Sequence, residues 1–178
     1  ISPLAPFSKN IIQYLDALSK EINNDSRLRD YPDVATFSFF CRKANISRLR
    51  EKFYNDQQIK LGRGILFHIA PSNVPVNFAF SMIMGLLSGN CNIVRVPSIS
   101  FDQINIIVSA INRLANNPLY LLISKRIILV RYDRNDIATK FFSLDCDIRI
   151  IWGGDETIRK IRENNLQPRA FDITFADR

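Results

Sequence analysis

The sequence is poor in the residues that form disulfides and metal sites. Its 178 residues include only three cysteines and one histidine, His68. The cysteines, Cys41, Cys91 and Cys146, are far apart, so they suggest neither a disulfide framework nor a metal-ligand pattern. At these spacings the histidine cannot complete a zinc site with them. We therefore expect no metal chemistry, and no cysteine has a histidine in its local sequence that would activate the thiol.

Long hydrophobic runs are also missing. A membrane-spanning helix needs about 18 or more consecutive apolar residues. The nearest stretch, Val74 to Leu87, is shorter and contains Asn77, Ser81 and Gly85. No basic segment followed by an apolar one resembles a secretion signal, and there is no internal repeat or low-complexity tract. We therefore expect a globular, cytoplasmic protein with no membrane span.

Acidic residues are outnumbered. The 24 Lys and Arg residues exceed the 17 Asp and Glu residues, which gives a net charge of +7. Such a surplus suits nucleic acid or an anionic small molecule. The basic residues are nevertheless spread from Lys9 to Arg178 among acidic ones, and no stripe interleaves them with exposed aromatics. A phosphate-rich cofactor explains the charge more simply, and we expect no nucleic-acid partner.

Short apolar runs alternate with amphipathic helices along most of the chain, 47% of which is apolar. The central stretch, Leu61 to Ser98, reads as a strand (Gly64 to Ile69), a turn, a helix starting near Pro75 and a second strand (Cys91 to Val96). The pattern continues with helices at Phe101 to Ala115, Asp136 to Phe142 and Asp155 to Glu163, and with strands at Arg126 to Arg131, Asp147 to Ile151 and Phe171 to Phe175. This alternation predicts an α/β fold with a Rossmann-like, doubly wound parallel sheet of about five strands.

A helical arm precedes this sheet. Ser8 can cap a first helix, whose apolar face recurs at helical spacing and which ends near Asn23. A second helix starts after Pro32 and runs to about Phe53. We therefore divide the chain into a helical arm, residues 1–60, and a Rossmann-like domain, residues 61–178.

Four residues at or just after the ends of predicted strands are of types that bind ligands. Asn73 lies in the Pro-flanked turn after the first strand, Arg95 ends the second, and Gly153 and Gly154 follow the fourth. Parallel strands share one carboxyl edge, where open α/β proteins bind ligands. An asparagine amide can donate to an oxyanion, an effect on the order of 3 kcal/mol. An arginine pairs with phosphate oxygens, and glycines before a helix let phosphate approach its N-terminus.

Each position also has an ordinary structural explanation. Asn73 fits a routine Asx turn, and Arg95 fits a solvated arginine at a strand end. The sequence GGDET lacks the pattern G-x-G-x-x-G, so it fits a plain βα turn capped by Asp155 or Thr157 about as well. His68, inside a strand, is more typical of a hydrogen-bonded core residue than of a catalyst.

Taken together, three segments resemble the acyl-CoA reductase family that supplies long-chain aldehyde to bacterial luciferase. They are GRGILFHIAPSNVPVNFAFSMIMGLLSGNCNIVRVPS, CDIRIIWGGDETIRKIR and PRAFDITFADR. That family is similar to the aldehyde dehydrogenase superfamily. The resemblance covers about Leu61 to Arg178 and implies that residues 61–178 form an NADP-binding domain.

The resemblance also implies roles for particular residues. Aldehyde dehydrogenases contain a block P-W-N-F-P whose asparagine helps hold the oxyanion, which implies a catalytic role for Asn73. Their ribose-binding lysine lies six residues beyond the glycine of a G-N pair, where this chain has Arg95 after Gly89. An arginine there fits NADPH, whose extra phosphate needs a cation, and Ser98 replaces a glutamate that would repel that phosphate. The implied cofactor-binding residues are Pro71, Ser72, Arg95, Pro97, Ser98, Gly153, Gly154, Asp155 and Thr157.

The reaction implied by the resemblance converts acyl-CoA and NADPH into aldehyde and CoA through an acyl-cysteine intermediate. The superfamily's nucleophilic cysteine lies beyond this segment, so we expect a chain truncated before its catalytic domain and inactive alone. Where aldehyde dehydrogenases carry L-E-L-G-G-K, the segment Ile173 to Arg178 has no glutamate to activate water, which favours reduction over oxidation. The implied partners are an acyl-CoA substrate, a second copy of the chain, and an acyl-protein synthetase or acyltransferase.

Two other functions compete with this prediction. A Rossmann-like module can bind another nucleotide or CoA without redox work. A basic interaction domain for nucleic acid would bind with a steep salt dependence. Binding measurements separate all three.

Overall fold

A computed structural model describes residues 2–55, 57–132 and 137–176. Within them, five strands form one sheet in the order β3-β2-β1-β4-β5, and every neighbouring pair is parallel. The strands are β1 (Ile65–Ile69), β2 (Cys91–Arg95), β3 (Ile127–Val130), β4 (Ile148–Gly153) and β5 (Phe171–Ala176). The predicted α/β fold with a Rossmann-like parallel sheet is confirmed.

Eight α-helices accompany the sheet in the described part of the chain. They are α1 (Lys9–Asn23), α2 (Pro32–Phe40), α3 (Lys43–Phe53), α4 (Asn77–Leu87), α5 (Asp102–Ala115), α6 (Leu121–Ser124), α7 (Ile137–Asp145) and α8 (Asp155–Arg162). Short 3₁₀ helices lie at Ser26–Asp30 and Pro118–Tyr120. The chain crosses from β1 to β2 through α4 and from β3 to β4 through α7. Strands β1 and β4 are therefore the neighbours at which the winding reverses.

The two faces of the sheet are covered by different helices. On one face, β2 residues such as Val94 pack in the large core that also contains α1, α4 and α5. On the other, Phe67 and Ile69 of β1 pack with Phe142 of α7 and Ile161 of α8. Alternate residues of β1 thus point to opposite faces, and both faces are buried.

The helical arm shares its core with the sheet. Residues of α1 such as Leu15 and Leu18 are fully buried in the same cluster as α4 and α5. Backbone hydrogen bonds also join the arm to the loop before β2, from Leu4 N to Gly89 O (2.9 Å) and from Phe7 N to Leu87 O (2.8 Å). The arm is therefore packed against the helices that cover this face of the sheet.

Several local predictions need correction. The second helix predicted for the arm is two helices, α2 and α3, which are separated at Cys41 and Arg42. Ser8 stands at the N-cap of α1, but its side chain makes no capping hydrogen bond there. The central helix starts at Asn77, two residues after the predicted Pro75. The predicted start of α7, Asp136, lies outside the described residues.

A helix that crosses a membrane must be long and predominantly apolar. In the described ranges no single helix has the necessary length and apolar composition. The pair Asp102–Ala115 and Pro118–Ser124 meets the length and composition test only when joined, and the two parts meet at a 97° bend.

Candidate functional site

A cavity of about 930 Å³ opens at the carboxyl ends of β1, β2 and β4. The segments that follow these strands form one side of it, and residues of α7 and α8 form the other. Nine of the ten predicted site residues line it: Pro71, Ser72, Asn73, Arg95, Pro97, Ser98, Gly153, Gly154 and Thr157. The tenth, Asp155, begins α8 but does not line the cavity. Positions separated by up to 86 residues in sequence thus meet at the point where the winding reverses.

Asn73 lies in the loop between β1 and α4 and is exposed to the cavity. Among the described residues its side chain makes no hydrogen bond, so the Asx turn that would explain it structurally is not formed. Its amide N–H groups are therefore available to a ligand in the cavity. This arrangement can stabilise an oxyanion on a bound substrate.

Arg95, at the end of β2, is held in place by Tyr132. Its Nη2 donates to the Tyr132 carbonyl (3.2 Å), and its guanidinium lies 4.6 Å from the centre of the Tyr132 ring. Tyr132 is fixed in turn by Thr139 of α7, whose Oγ1 donates to the Tyr132 hydroxyl (3.0 Å). The Tyr132 ring lies against one face of the guanidinium, and only one nitrogen bonds the Tyr132 carbonyl. The guanidinium therefore has further N–H groups that can bind a phosphate.

The turn after β4 exposes backbone to the cavity. Gly153 has a φ of +156°, which a residue with a side chain rarely adopts. Gly154 has an ordinary φ of −68°, and a Cβ added to it would meet no atom within 4 Å. The missing side chain at Gly154 therefore leaves open the N-terminus of α8. An anion can reach the helix N–H groups and the positive end of the helix dipole there.

Two lysines add positive charge to the same cavity. Lys140 projects from α7 and Lys160 from α8, and both line the cavity with Arg95. Glu156 and Glu163 of the α8 region also line it, so the charge is mixed rather than uniformly basic. Sequence reasoning missed both lysines, because nothing in their local pattern shows that α7 and α8 both border the cavity.

His68 belongs to a buried chain of hydrogen bonds beside the cavity. Its Nδ1 lies 2.8 Å from Ser81 Oγ and its Nε2 lies 2.9 Å from Asn92 Oδ1. Because the Asn92 oxygen only accepts, Nε2 carries the proton and Nδ1 accepts from the Ser81 hydroxyl. The indole N–H of Trp152, which lines the cavity, donates to the same hydroxyl (3.1 Å).

Burial keeps this histidine neutral. Desolvation lowers the pKa of His68 to about 4, against a partial opposing effect of its hydrogen bond to Asn92. A neutral imidazole that is fully buried and bonded on both nitrogens is a structural group. It therefore stabilises the positions of Ser81 and Trp152 instead of transferring protons.

The three cysteines lie elsewhere. Burial raises the pKa of the Cys41 thiol well above its usual range and that of Cys146 to about 11. Cys91 is partly exposed, and Arg126 Nη1 lies 3.5 Å from its sulfur. Within the described ranges no cysteine lines the cavity. Among those same residues, no group of three or more His, Cys, Asp or Glu side chains is placed to hold a metal ion.

Solved aldehyde dehydrogenases share this fold. A lactaldehyde dehydrogenase is similar at a TM-score of 0.68 and 12% identity, over 93% of this chain and 39% of that one. Betaine aldehyde dehydrogenase from Staphylococcus aureus, solved with NAD+, is similar at a TM-score of 0.66 and 15% identity, over 93% of this chain and 37% of that one. The glyceraldehyde-3-phosphate dehydrogenase of Methanocaldococcus jannaschii, solved with NADP, is similar at a TM-score of 0.60 and 14% identity, over 94% and 41%. The chain thus spans about two fifths of the length of these enzymes.

The chain belongs to the LuxC acyl-CoA reductase family. The family model described as acyl-CoA reductase (LuxC) matches residues 44–178. This match confirms the family resemblance found in the sequence. Comparison with curated proteins gives no match.

Proposed function

We propose that this chain is the nucleotide-binding part of an NADPH-dependent acyl-CoA reductase. The observation that carries the proposal is the cavity in which Asn73, Arg95 and Gly154 meet. An oxyanion donor, a cation and an open helix N-terminus are the groups needed beside a dinucleotide that reduces a carbonyl. In this proposal residues 1–60 are a helical arm that supports a nucleotide-binding unit at residues 61–178.

The residues of the cavity suit a phosphate-rich dinucleotide. Gly154, at the N-cap of α8, lines the cavity and would give a phosphate access to the N-terminus of α8. Arg95 would pair with the 2′-phosphate that distinguishes NADPH from NADH, and Pro71, Ser72, Pro97, Ser98, Gly153 and Thr157 would shape the surrounding surface. Asp155 begins α8 and does not line the cavity, so it would contribute to binding only by its position in the first turn of that helix. Bound NADPH would supply the hydride.

In the proposed reaction, a cysteine thiolate attacks the acyl thioester, and the CoA thiolate leaves. The resulting acyl-cysteine accepts a hydride at its carbonyl carbon, and aldehyde is released as the carbon–sulfur bond breaks. Asn73 would donate its amide N–H to the carbonyl oxygen while negative charge develops on it. The nucleophile would lie outside this chain, since the cysteines present here are buried or distant from the cavity.

The lack of a glutamate in β5 fits reduction rather than oxidation. At the position where aldehyde dehydrogenases carry a glutamate, β5 contains Ile173, Thr174, Phe175 and Ala176, and the sequence continues with Asp177 and Arg178, outside the described residues. Without a glutamate at that position to activate water, the acyl group would survive until hydride arrives. The proposal therefore favours aldehyde formation over acid formation.

We also propose a substrate, protein partners and a cellular location for the enzyme. Acyl-CoA is the substrate, and an acyl-protein synthetase or acyltransferase would deliver the acyl group. We also propose self-association through the apolar helical arm and a cytoplasmic location, where CoA thioesters and NADPH are both found. Nucleic acid has no part in this function.

Replacement of Arg95 by glutamate tests the cofactor assignment. We expect Arg95→Glu to raise the Kd for NADPH about tenfold or more, equivalent to roughly 1.4 kcal/mol, because an anion would face the 2′-phosphate. The Kd for NADH, which lacks that phosphate, should change much less. Isothermal titration with both nucleotides measures the effect.

Arg48→Glu is the matched control, because it makes the same charge change on the exposed surface of α3. Its Kd for NADPH should equal that of the unmodified protein. An unchanged NADPH affinity in Arg95→Glu would contradict the assignment of Arg95. If the unmodified protein binds CoA but neither nicotinamide nucleotide, the non-redox binding module replaces the reductase.

A further inference from the structure

Two residues of the cavity wall are bonded to the same backbone carbonyl. Tyr132 follows β3, and its carbonyl accepts from Arg95 Nη2 (3.2 Å) and from Ser98 Oγ (3.4 Å). A carbonyl oxygen has two lone pairs, so it can serve both donors. Arg95 and Ser98 line the cavity, whereas Tyr132 is not among the residues that line it. Tyr132 therefore acts on the cavity through these two side chains.

The Tyr132 ring supports Arg95 as well. The central carbon of the guanidinium lies over the ring, 4.6 Å from the ring centroid. Together, the ring and the carbonyl restrict the orientations that the long Arg95 side chain can adopt. An arginine that is held in this way has less conformational entropy to lose when it binds a ligand.

The Tyr132 side chain is in turn fixed to buried structure. Its hydroxyl accepts from Thr139 Oγ1 (3.0 Å), and Thr139 of α7 is only 8% exposed. The centroids of the Tyr132 and Phe142 rings are 6.3 Å apart, and Phe142 packs on the fully buried Phe67 of β1 (5.4 Å). The support for Arg95 thus extends from the cavity wall into the core between the sheet and α7.

This arrangement suits a phosphate group on a ribose. A guanidinium of fixed orientation offers its remaining N–H groups as a fork that matches phosphate oxygens. The Ser98 hydroxyl, whose bond to the carbonyl is long at 3.4 Å, can turn toward the same ligand. A ribose that carries only hydroxyls makes no charge-assisted hydrogen bonds with these groups. The benefit of holding Arg95 therefore falls mainly on nucleotides with a 2′-phosphate.

We infer that Tyr132 is a positioning residue that makes the cavity selective for a nucleotide with a 2′-phosphate. It acts by holding the Arg95 guanidinium ready for that phosphate. This inference rests on the proposed function for the placement of the 2′-phosphate at Arg95, and it adds the residue on which the selectivity depends. It implies that the tyrosine ring matters for binding only while Arg95 is present.

NADPH and NADH test the inference, because they differ only in the 2′-phosphate. We expect Tyr132→Leu to raise the Kd for NADPH about tenfold, since binding must then order an unsupported guanidinium, and to leave the Kd for NADH within about twofold. Tyr132→Met, a second variant without the ring, should behave in the same way. Tyr132→Phe keeps the ring, so its Kd for NADPH should stay within about threefold. Isothermal titration measures these constants, and circular dichroism checks that each variant is folded.

A double-mutant cycle separates positioning from a general structural effect. Arg95→Met should itself raise the Kd for NADPH about tenfold. Adding Tyr132→Leu should raise it no further, because the ring then has no guanidinium to hold.

Tyr54→Leu is the matched control. Tyr54 also lies beneath an arginine, with the Arg50 guanidinium 5.6 Å from the centre of its ring, but it does not line the cavity. Its replacement should change the Kd of neither nucleotide.

The inference is overturned if Tyr132→Leu and Tyr132→Met keep the preference for NADPH over NADH, or if they weaken both nucleotides equally. It is also overturned if Tyr132→Phe loses as much affinity as Tyr132→Leu, or if the effects of Arg95→Met and Tyr132→Leu multiply to about a hundredfold. Failure of the proposed function would look different, because the unmodified protein would then bind neither nicotinamide nucleotide, and the inference would be wrong with it.

Discussion

At the scale of the residue, Gly154 shows how a missing side chain forms a binding surface. Its backbone angles are open to any residue, and a Cβ would project into free space. Gly153 differs, because its φ of +156° requires glycine and an added Cβ would lie 3.2 Å from Thr157. One glycine is therefore needed for the turn, and the other leaves room beside the helix N-terminus.

Gly154→Ala separates binding from folding. The free energy of unfolding should change by less than about 1 kcal/mol, since a poorer N-cap and a less flexible unfolded chain have opposing effects. The Kd for NADPH should rise about tenfold, the loss of roughly one charge-assisted hydrogen bond. Titration and urea denaturation of the same preparation measure the two quantities. Unchanged affinity would mean that phosphate does not approach α8.

At the scale of the element, a buried ion pair holds β5 to the sheet. Arg149 of β4 is 1% exposed, and its Nε and Nη2 donate to the Asp172 carboxylate of β5 at 2.7 and 3.1 Å. Its Nη1 donates to Ser143 of α7 (2.9 Å) and to the Asn164 carbonyl after α8 (3.0 Å). One guanidinium thus joins two strands and two helical regions, and it fixes the position of β5 at the edge of the sheet.

Removing the carboxylate should be costly. Asp172→Ala leaves Arg149 charged and buried without its partner, so we expect a loss of about 3–5 kcal/mol in the free energy of unfolding. Urea denaturation measures this loss. Glu21→Ala breaks the partly exposed pair with Arg113 and should lose less than about 1 kcal/mol. Equal effects of the two substitutions would show that the buried pair is not what holds β5.

At the scale of the whole molecule, the arm and the sheet depend on one core. Leu18 of α1 has no exposed surface, and it packs in the cluster that contains Met82 of α4 and Ile107 of α5. Arg113 of α5 also bonds Glu21 of α1 through the side-chain carboxylate (2.7 Å) and the backbone carbonyl (3.1 Å). The helices that support β1 and β2 are therefore covered by the arm.

Cooperative unfolding follows from this shared core. Leu18→Ala should reduce the free energy of unfolding by about 2–5 kcal/mol. Loss of helix, followed by circular dichroism, should coincide with the change in Trp152 fluorescence on β4, far along the sequence from α1. Lys20→Ala, at an exposed position of the same helix, should have little effect. Two separate transitions would show that the arm unfolds independently.

Much of the fold was predictable because its signals are local. All five strands were predicted to within two residues of their observed ends, since a strand buried on both faces is a short apolar run between polar turns. The break between α2 and α3 was missed because Cys41 and Arg42 are neither glycine nor proline, and the helical spacing continues through them. Cys41 is fully buried in the shared core, so packing decides where the helix ends.

The candidate site was predictable only in part. Asn73, Arg95 and Gly154 follow strands, and the carboxyl ends of parallel strands meet at one edge whatever the details of the fold. Lys140, Lys160 and Trp152, which line the cavity, and Tyr132, which holds Arg95, were missed. Their positions depend on how α7 and α8 pack against the sheet and on contacts between residues distant in sequence.

By itself the sequence determined the alternation of strands and helices, the parallel sheet and the family, because apolar spacing and strand-end residues are properties of consecutive positions. Only the tertiary structure decided that Arg95 rests on Tyr132, that His68 is neutral and supports Trp152, and that Lys140 and Lys160 line the cavity. Those features depend on contacts between residues distant in sequence, and their free energies arise only once the sheet and its helices have packed.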